Sequence, residues 1–369
     1  MIRPIFYGIL FFSILQTYGQ NLTQKPLFVA PENQELISAD LHIHTVFSDG
    51  SVWPNIRVEE ARREGLDLIA LTEHLEYQPH AEDLPHPDRN RSYEIALSSL
   101  KEGENLRVIH GSEITRSMPP GHLNAVFIKD ANQLLFPNDS LAGIKAANTQ
   151  GAFVFWNHPN WDAQRSNGIA RLDPFHTYLI KNKLLHGIEV VNETTFSEEA
   201  LQLALDNNLT IIGTSDIHGL TTWNHNIAGG GHRPMTFILS NSKRPQAIKE
   251  ALFEGKTIVW FEDLLIGKEK YIKDVIKANV TVESAYYKKD KQILYVTISN
   301  HSALPMQMKY IGEYSLHFNS DWFQLHPYSS KEIAIKTVKR QKETEMPFEI
   351  INAVSAPKKH PQITWKVNL

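Results

Sequence analysis

Two histidines two positions apart, His42 and His44, lie in the segment ADLHIHTVFSDG and could bind a metal together. We predict a strand over residues 37–44, in which side chains two positions apart point to the same face. Two imidazoles on one face can reach one ion at ~2.0–2.1 Å. The following Ser-Asp-Gly turn signal places Asp49 beside them as a third candidate ligand. His-x-His alone is equally compatible with solvated histidines on a strand edge, so the rest of the chain has to decide.

Comparable side chains lie in or beside later predicted strands, Glu113 within one strand and His122 at the start of the next. They are His74 in LTEH, Glu113 in GSE, His122 in GH, His158 in NHP, and Asp216 and His218 in SDIH. In a barrel of alternating strands and helices, active residues lie where the strands end, on the carboxyl-terminal rim. A single loop histidine is usually solvated, but these residues recur at successive strand ends. Together with His42, His44 and Asp49, they predict a metal centre.

Composition limits both the partners and the metal. The 369-residue chain has a net charge of −4, which gives no electrostatic case for nucleic acid as the main partner. Nucleic acid therefore enters only as a substrate, for example of a nuclease acting on scavenged DNA. The chain has 17 histidines and no cysteine, so no thiolate is available as a ligand. Histidine and carboxylate ligands suit Zn, Mn or Fe.

The N-terminus predicts export. Residues 1–19 are interpreted as a signal peptide, with Arg3 as the basic region, an apolar stretch over 5–15 and the small Gly19 at the cleavage site. An uncleaved anchor is the alternative. No later stretch approaches the ~20 apolar residues that span a bilayer. We expect a periplasmic or secreted protein with no transmembrane segment after cleavage.

Element order predicts two domains. After a lead-in over residues 20–36, repeated strand–helix units over 37–276 are typical of a parallel sheet, most simply a barrel. Residues 277–369 read as short strands, and Leu294, Val296 and Ile298 alternate with other residues as in a half-buried strand. We predict a small antiparallel β-sandwich there.

In combination, these motifs resemble the PHP (polymerase and histidinol phosphatase) domain family, in the family's order over about residues 38–260. The resemblance implies an α/β fold, a distorted (β/α)7 TIM-like barrel, and a site for three divalent metal ions. One ion would bind His42, His44, Glu113 and Asp216, a second Glu113, His122 and His158, and a third Asp49, His74 and His218. Asp49 departs from some histidinol phosphatases of the family, which have histidine there. The signal peptide and β domain resemble the exported Sb-PDE-like phosphodiesterase branch.

These inferences predict an exported metal-dependent phosphoesterase acting on a small phosphate ester. Clustered dications lower the pKa of bound water toward ~7 and neutralise phosphoryl oxygens. Glu113 is the predicted bridging ligand and, with Asp216 and His218, the predicted catalytic set. The general acid is unassigned. A phosphodiester is favoured by branch resemblance alone, and a phosphomonoester remains open.

Substrate contacts and rival functions are less constrained. Arg116 and Arg233 could hold a phosphate oxygen, although each could equally be a surface salt-bridge partner. Trp223 and His225 could line the pocket, or pack within their loop. One rival is an amidohydrolase-like hydrolase, which also uses His-x-His but usually with a single late Asp and often a carbamylated lysine. The other is a non-catalytic surface binding protein that uses its β domain. The sequence does not give the oligomeric state.

Overall fold

A computed structural model describes residues 26–318 and 320–369. The predicted signal peptide and the start of the lead-in lie outside the described residues. Within the described part of the chain, every helix is too short or too polar to cross a membrane.

The first part of the chain alternates strands and helices. Its strands are β1 (Glu35–Asp40), β2 (Leu68–Leu71), β3 (Arg107–Ile114), β4 (Leu123–Val126), β5 (Phe153–Trp156), β6 (Gly187–Asn192), β7 (Thr195–Phe196), β8 (Thr210–Thr214), β9 (Met235–Ser240), β10 (Thr257–Phe261) and β11 (Leu264–Gly267). Its helices are α1 (Pro54–Glu64), α2 (Arg91–Ser98), α3 (Ser140–Thr149), α4 (Pro174–Lys181), α5 (Glu198–Asp206), α6 (Thr221–Asn224), α7 (Pro245–Phe253) and α8 (Glu269–Asn279).

The C-terminal part consists of strands. They are β12 (Val280–Tyr287), β13 (Ile293–Asn300), β14 (Met306–Tyr310), β15 (Trp322–Leu325), β16 (Ser330–Lys336), β17 (Glu343–Ile350), β18 (Ala353–Val354) and β19 (Gln362–Asn368). The predicted domain boundary at 276/277 falls in the last turn of α8.

One curled, mixed sheet of 12 strands holds the first part together. β1 pairs in parallel with β2 and β2 with β3, and β6 pairs in parallel with both β5 and β8. β4 is antiparallel to β3 and β5, because the short connection after β3 has no crossover helix. β9 is antiparallel to β1. The predicted α/β TIM-like architecture is confirmed, with these reversed strands as its distortion.

Threonine side chains join β8 to β9 and β10, where the sheet curls back on itself. The Thr236 hydroxyl accepts from the Gly213 N–H at 2.9 Å and lies 2.8 Å from the Gly213 carbonyl oxygen. Thr257 donates to the Ile211 carbonyl at 2.7 Å. A Cβ at Gly213 would lie 2.2 Å from a methyl group of Val259, so this close approach requires glycine.

The C-terminal strands form the predicted β-sandwich. One antiparallel sheet has the order β12-β13-β16, and the other has the order β15-β14-β17-β19. Leu294, Val296 and Ile298 on β13 are each at most 1% exposed, so the predicted buried face is confirmed.

The sandwich region is also built into the first sheet. β18 pairs in parallel with β11. Next to β18, the side chain of Asn352 donates to the carbonyls of Asp263 and Pro305, both at 2.7 Å, and accepts from the Gln307 N–H at 2.9 Å. One continuous hydrophobic core contains residues from β9, β10, α8 and the sandwich strands. The two parts of the chain are therefore packed as one body.

A buried histidine on β3 predicts a pH effect on stability. The His110 ring stacks on Tyr93 at 4.3 Å, and burial lowers the pKa of His110 to about 4. The unfolded chain takes up this proton near pH 6.5, so stability falls as the pH drops from 6.5 toward 4. Between pH 7 and 4.5 we expect wild type to lose about 2–3 kcal/mol more than His110→Phe in urea unfolding. The same loss in both proteins would contradict this, and exposed His301→Gln is the control.

Candidate metal centre

The segment with His42 and His44 is extended but lies beyond the strand. β1 ends at Asp40, so the predicted strand over 37–44 was too long. The extended course continues because the His44 N–H donates to the Ile217 carbonyl at 3.1 Å and the Thr72 N–H donates to the Ile43 carbonyl at 2.9 Å. Both imidazoles consequently project together, as predicted, with their Nε2 atoms 3.0 Å apart.

The far nitrogen of each ring is held by a neighbour. His42 Nδ1 lies 2.8 Å from a carboxylate oxygen of Glu189, so it donates. His44 Nδ1 lies 3.2 Å from the Ser48 hydroxyl, which itself donates to Glu73 at 2.5 Å and is therefore left to accept. With both protons on Nδ1, the two Nε2 lone pairs face each other. Such an arrangement is repulsive unless a cation lies between them, and it is the outer-shell pattern of metal-ligating histidines.

Asp216 completes this first group of possible ligands. Its Oδ1 atom lies 3.1 Å from the Nε2 atoms of both His42 and His44 and has no hydrogen-bond partner. Ligands on a tetrahedron with ~2.0–2.1 Å bonds are about 3.3 Å apart, close to these separations. Asp216 also has φ 47°, a left-handed backbone that is uncommon for Asp. Glu113 approaches the same two Nε2 atoms at 3.7 and 3.5 Å.

Glu113 lies at the centre of the cluster. It is fully buried, and its carboxylate oxygens lie 2.6–3.7 Å from five imidazole rings. These rings belong to His42, His44, His74, His122 and His158. The Asn157 amide donates to one oxygen at 2.8 Å, while the other, Oε2, has no hydrogen-bond partner. This position is the one required of a bridging ligand.

Asp49 joins a further group at the mouth of the site. Its carboxylate lies 3.4 Å from His74 Nε2, 3.2 Å from His218 Nε2 and 3.6 Å from His44 Nδ1. Asp49 Oδ1 is buried without a hydrogen-bond partner.

All nine predicted ligands therefore meet in one place. Three groups have ligand atoms close enough to share an ion: His42, His44 and Asp216; His44, Asp49, His74 and His218; and His74, Glu113 and His122. Each group differs from the set that the family resemblance implied: the first lacks Glu113, the second adds His44, and the third has His74 in place of His158.

The buried carboxylates of the cluster require positive charge beside them. Burial alone would raise the pKa values of Glu113 and Asp216, yet the surrounding histidines hold both well below their usual range. Burial would likewise lower the pKa of His74, but Glu113 and Asp49 raise it to about 10. Among the described residues, the ion-pair partners of Asp49, Glu113 and Asp216 are all histidines. Orphaned carboxylate oxygens facing imidazoles fit divalent metals such as Zn, Mn or Fe.

The predicted substrate contacts are placed less favourably. Arg233 is fully buried, with its guanidinium on Glu64 and Asp40, and has no surface with which to contact a substrate. Arg116 lies half-buried, with an ion pair to Glu76 and bonds to the carbonyls of residues 136 and 137.

Two other predicted contacts, Trp223 and His225, lie outside the cleft at the candidate ligands. Neither is among the described residues that line this metal-centred cleft, which has a volume of about 170 Å³ and is lined by Asp49, His74, Glu113, His122, His158, Trp161, Asn192, Glu193, Asp216 and His218. Trp223 is 68% exposed and covers Gly219.

Other residues of the site were not predicted. Glu189 is buried on β6 and binds His42, the His158 N–H and the Thr214 hydroxyl. A carboxylate within the mostly apolar strand GIEVVN could have identified Glu189 as a functional residue from the sequence. Glu193 lines the cleft, and burial and then Asp216 raise its pKa.

One solved structure resembles this chain over nearly its whole length. A two-domain protein from Bacteroides vulgatus containing a predicted PHP-like metal-dependent phosphoesterase is 37% identical, covering 93% of this chain and 98% of its own, with a TM-score of 0.85. A protein from Bifidobacterium adolescentis described as a metal-dependent phosphoesterase is 20% identical (49% and 87% covered, TM-score 0.38). An amidohydrolase from Chromobacterium violaceum is 15% identical (50% and 88% covered, TM-score 0.36). The last two likenesses are too weak to support an argument.

Two further comparisons concern the sequence. The model of the family DUF5001, described as an Ig-like domain, matches residues 280–366, most of the β-sandwich. No curated protein gives a significant match. On the identity and near-complete coverage of the Bacteroides protein, the chain belongs to the family of two-domain proteins that contain a PHP-like metal-dependent phosphoesterase.

Proposed function

We propose that this protein is an exported phosphodiesterase that works with up to three divalent metal ions, Zn, Mn or Fe. One observation carries the proposal: imidazole lone pairs and orphaned oxygens of Asp49, Glu113 and Asp216 converge on one small cleft. Such a site suits a substrate whose charge must be neutralised during attack. The signal-peptide pattern of residues 1–19 supports export. We also propose that the phosphoesterase domain spans residues 37–276 and the β-sandwich domain residues 277–369.

The proposed reaction is hydrolysis. A water oxygen forms a bond to phosphorus, the bond from phosphorus to the leaving oxygen breaks, and a proton passes to that oxygen, giving a phosphomonoester and an alcohol. Bound dications would lower the pKa of the attacking water and offset the phosphoryl charge. The chain's own carboxylates, Glu113 and Asp216, lie 2.9 Å from His122 and 3.1 Å from His42, and with these histidines they would hold the metal ions.

The experiment compares bis-p-nitrophenyl phosphate with p-nitrophenyl phosphate. Protein from residue 20 onward is stripped of metal and then reloaded with Mn, Zn or Fe, with His42→Ala as the control. Metal-dependent turnover of the diester that is lost in the variant is the expected result. Preference for the monoester would make the protein a phosphatase. No turnover of either ester by metal-bound protein would reject phosphoester hydrolysis and favour an amidohydrolase-like or non-catalytic role.

Glu193 is the proposed proton donor to the leaving oxygen. Among the described residues, it is the one cleft-lining carboxyl group outside the predicted ligand sets. A proton donor matters most for a poor leaving group, so Glu193→Gln should slow diphenyl phosphate hydrolysis by about 100-fold. Hydrolysis of bis-p-nitrophenyl phosphate, whose leaving anion is more stable, should change only a few-fold. Equal losses with both esters, measured as kcat, would contradict this role.

A further inference from the structure

A second groove adjoins the metal-centred cleft. It has a volume of about 560 Å³ and shares His122 and Trp161 with the cleft. Its other lining residues are Thr115, Arg116, Ser117, Met118, Ala163 and Gln164. The two spaces therefore lie side by side, and Trp161 is accessible to a molecule in either of them.

Trp161 is positioned to contact such a molecule. Its ring lies edge-on to His158 at 5.1 Å and to His122 at 5.7 Å, so its inner side touches the metal centre. The ring is nevertheless 44% exposed. The backbone N–H of Trp161 donates to the His158 carbonyl at 2.9 Å, which fixes the backbone beneath the ring. Large aromatic surface held at the edge of a polar cleft is the arrangement on which flat rings stack.

Two lining residues of the groove, Met118 and Gln164, lie against Gly121. Gly121 has φ 81°, and a Cβ there would lie 2.7 Å from Met118 and 2.9 Å from the Gln164 amide oxygen. The Gln164 amide donates to the Arg116 carbonyl at 3.0 Å. Because the Arg116 guanidinium is paired with Glu76, the lining beside the tryptophan consists mainly of an amide and a methionine. This lining suits a planar group with polar substituents.

The cleft offers two kinds of side chain besides the candidate ligands. Glu193 has a carboxyl group that can supply a proton to a departing oxygen. Trp161 lines both the cleft and the groove and offers an aromatic surface. A diester has two organic groups, one that leaves and one that stays on phosphorus. Glu193 lines the cleft but not the groove, so the departing group fits beside Glu193 and the retained group fits the groove.

We infer that the groove beside Trp161 is a subsite for the retained substituent of a phosphodiester, and that it selects a planar ring. This inference rests on the proposed function and narrows it to diesters with at least one aryl or heterocyclic group. Removal of an aromatic side chain on which one planar ring stacks typically weakens binding about 5- to 150-fold.

The test uses three esters with the same leaving group. They are bis-p-nitrophenyl phosphate, methyl p-nitrophenyl phosphate and p-nitrophenyl phosphate, of which only the first retains a ring. Trp161→Ala should lower kcat/KM about tenfold for the first, chiefly through KM, and less than twofold for the other two. Trp161→Phe should restore most of the loss. Trp223→Ala, at an exposed tryptophan outside the cleft, is the matched control.

A binding measurement separates this inference from the proposed function. Metal-loaded wild type should bind diphenyl phosphate about tenfold more tightly than dimethyl phosphate in calorimetry, and Trp161→Ala should abolish the difference with metal content unchanged. If wild type hydrolyses the esters and Trp161→Ala loses activity equally toward all three, the subsite alone is overturned. The same holds if Trp161→Ala loses no activity toward any of them. Aryl-selective binding without turnover of any ester would support the subsite and reject the hydrolytic function.

Discussion

Replacing Glu113 by glutamine is expected to remove bound metal and to lower hydrolysis of bis-p-nitrophenyl phosphate by more than about 100-fold. Loss of an outer-shell partner typically costs ~10–100-fold in metal affinity or activity, and a central ligand should cost more. Glu113 contacts at least one imidazole in each of the three possible ligand groups. Glutamine retains the size of the side chain but removes the charge that offsets the cations.

The measurement is metal content by mass spectrometry alongside turnover. Glu193→Gln is the matched control, since it makes the same chemical change in the same cleft but outside the predicted ligands. We expect that control to retain its full metal content. If Glu113→Gln bound as much metal as wild type, the central role of Glu113 would be wrong.

The ligand positions were predictable from sequence because each lies in or beside a recognisable strand. Short polar motifs at successive strand ends must meet on one rim when the strands are parallel. The precise end of β1 was not predictable. The residue pattern over 41–44 resembles that of a strand. These residues nevertheless make only isolated backbone hydrogen bonds to their neighbours, Thr72 and Ile217.

Partners across the fold were beyond the sequence. Arg233 precedes a strand, which suggested a substrate contact, yet Asp40 and Glu64 lie opposite it and bury its charge. Nothing in local spacing places those three residues together. The two-residue strand β18 is similar: it has no pattern of its own, and its place in the first sheet depends on the packing of α8 and the sandwich.

Arg57 on α1 is the strongest case of a residue whose role only the fold reveals. It is fully buried, and all five of its N–H donors are used. Four donate to the carbonyls of His44, Ile217, His218 and Gly219, at 2.7–3.1 Å, and one donates to Glu60 at 2.8 Å. The guanidinium thereby ties the first ligand segment to the last.

Arg57→Met is expected to destabilise the protein by about 3–5 kcal/mol, because several buried carbonyls lose their donor together. We also expect metal affinity to fall ~10-fold or more, since His44 and His218 lose the group that fixes their spacing. Arg57→Lys, with fewer donors, should lie between wild type and Arg57→Met in both respects.

A control variant on the same helix distinguishes general destabilisation by Arg57→Met from loss of a role in positioning the metal ligands. Arg62 pairs with Glu59 and Glu104 and is partly exposed, so Arg62→Met should cost at most about 1 kcal/mol and leave metal affinity unchanged. Calorimetric metal titrations are done well below each variant's unfolding temperature, where every protein is folded. Loss of stability with wild-type metal affinity in Arg57→Met would show that the guanidinium supports the fold only. Loss of both would show that the spacing of the metal ligands is set from helix α1.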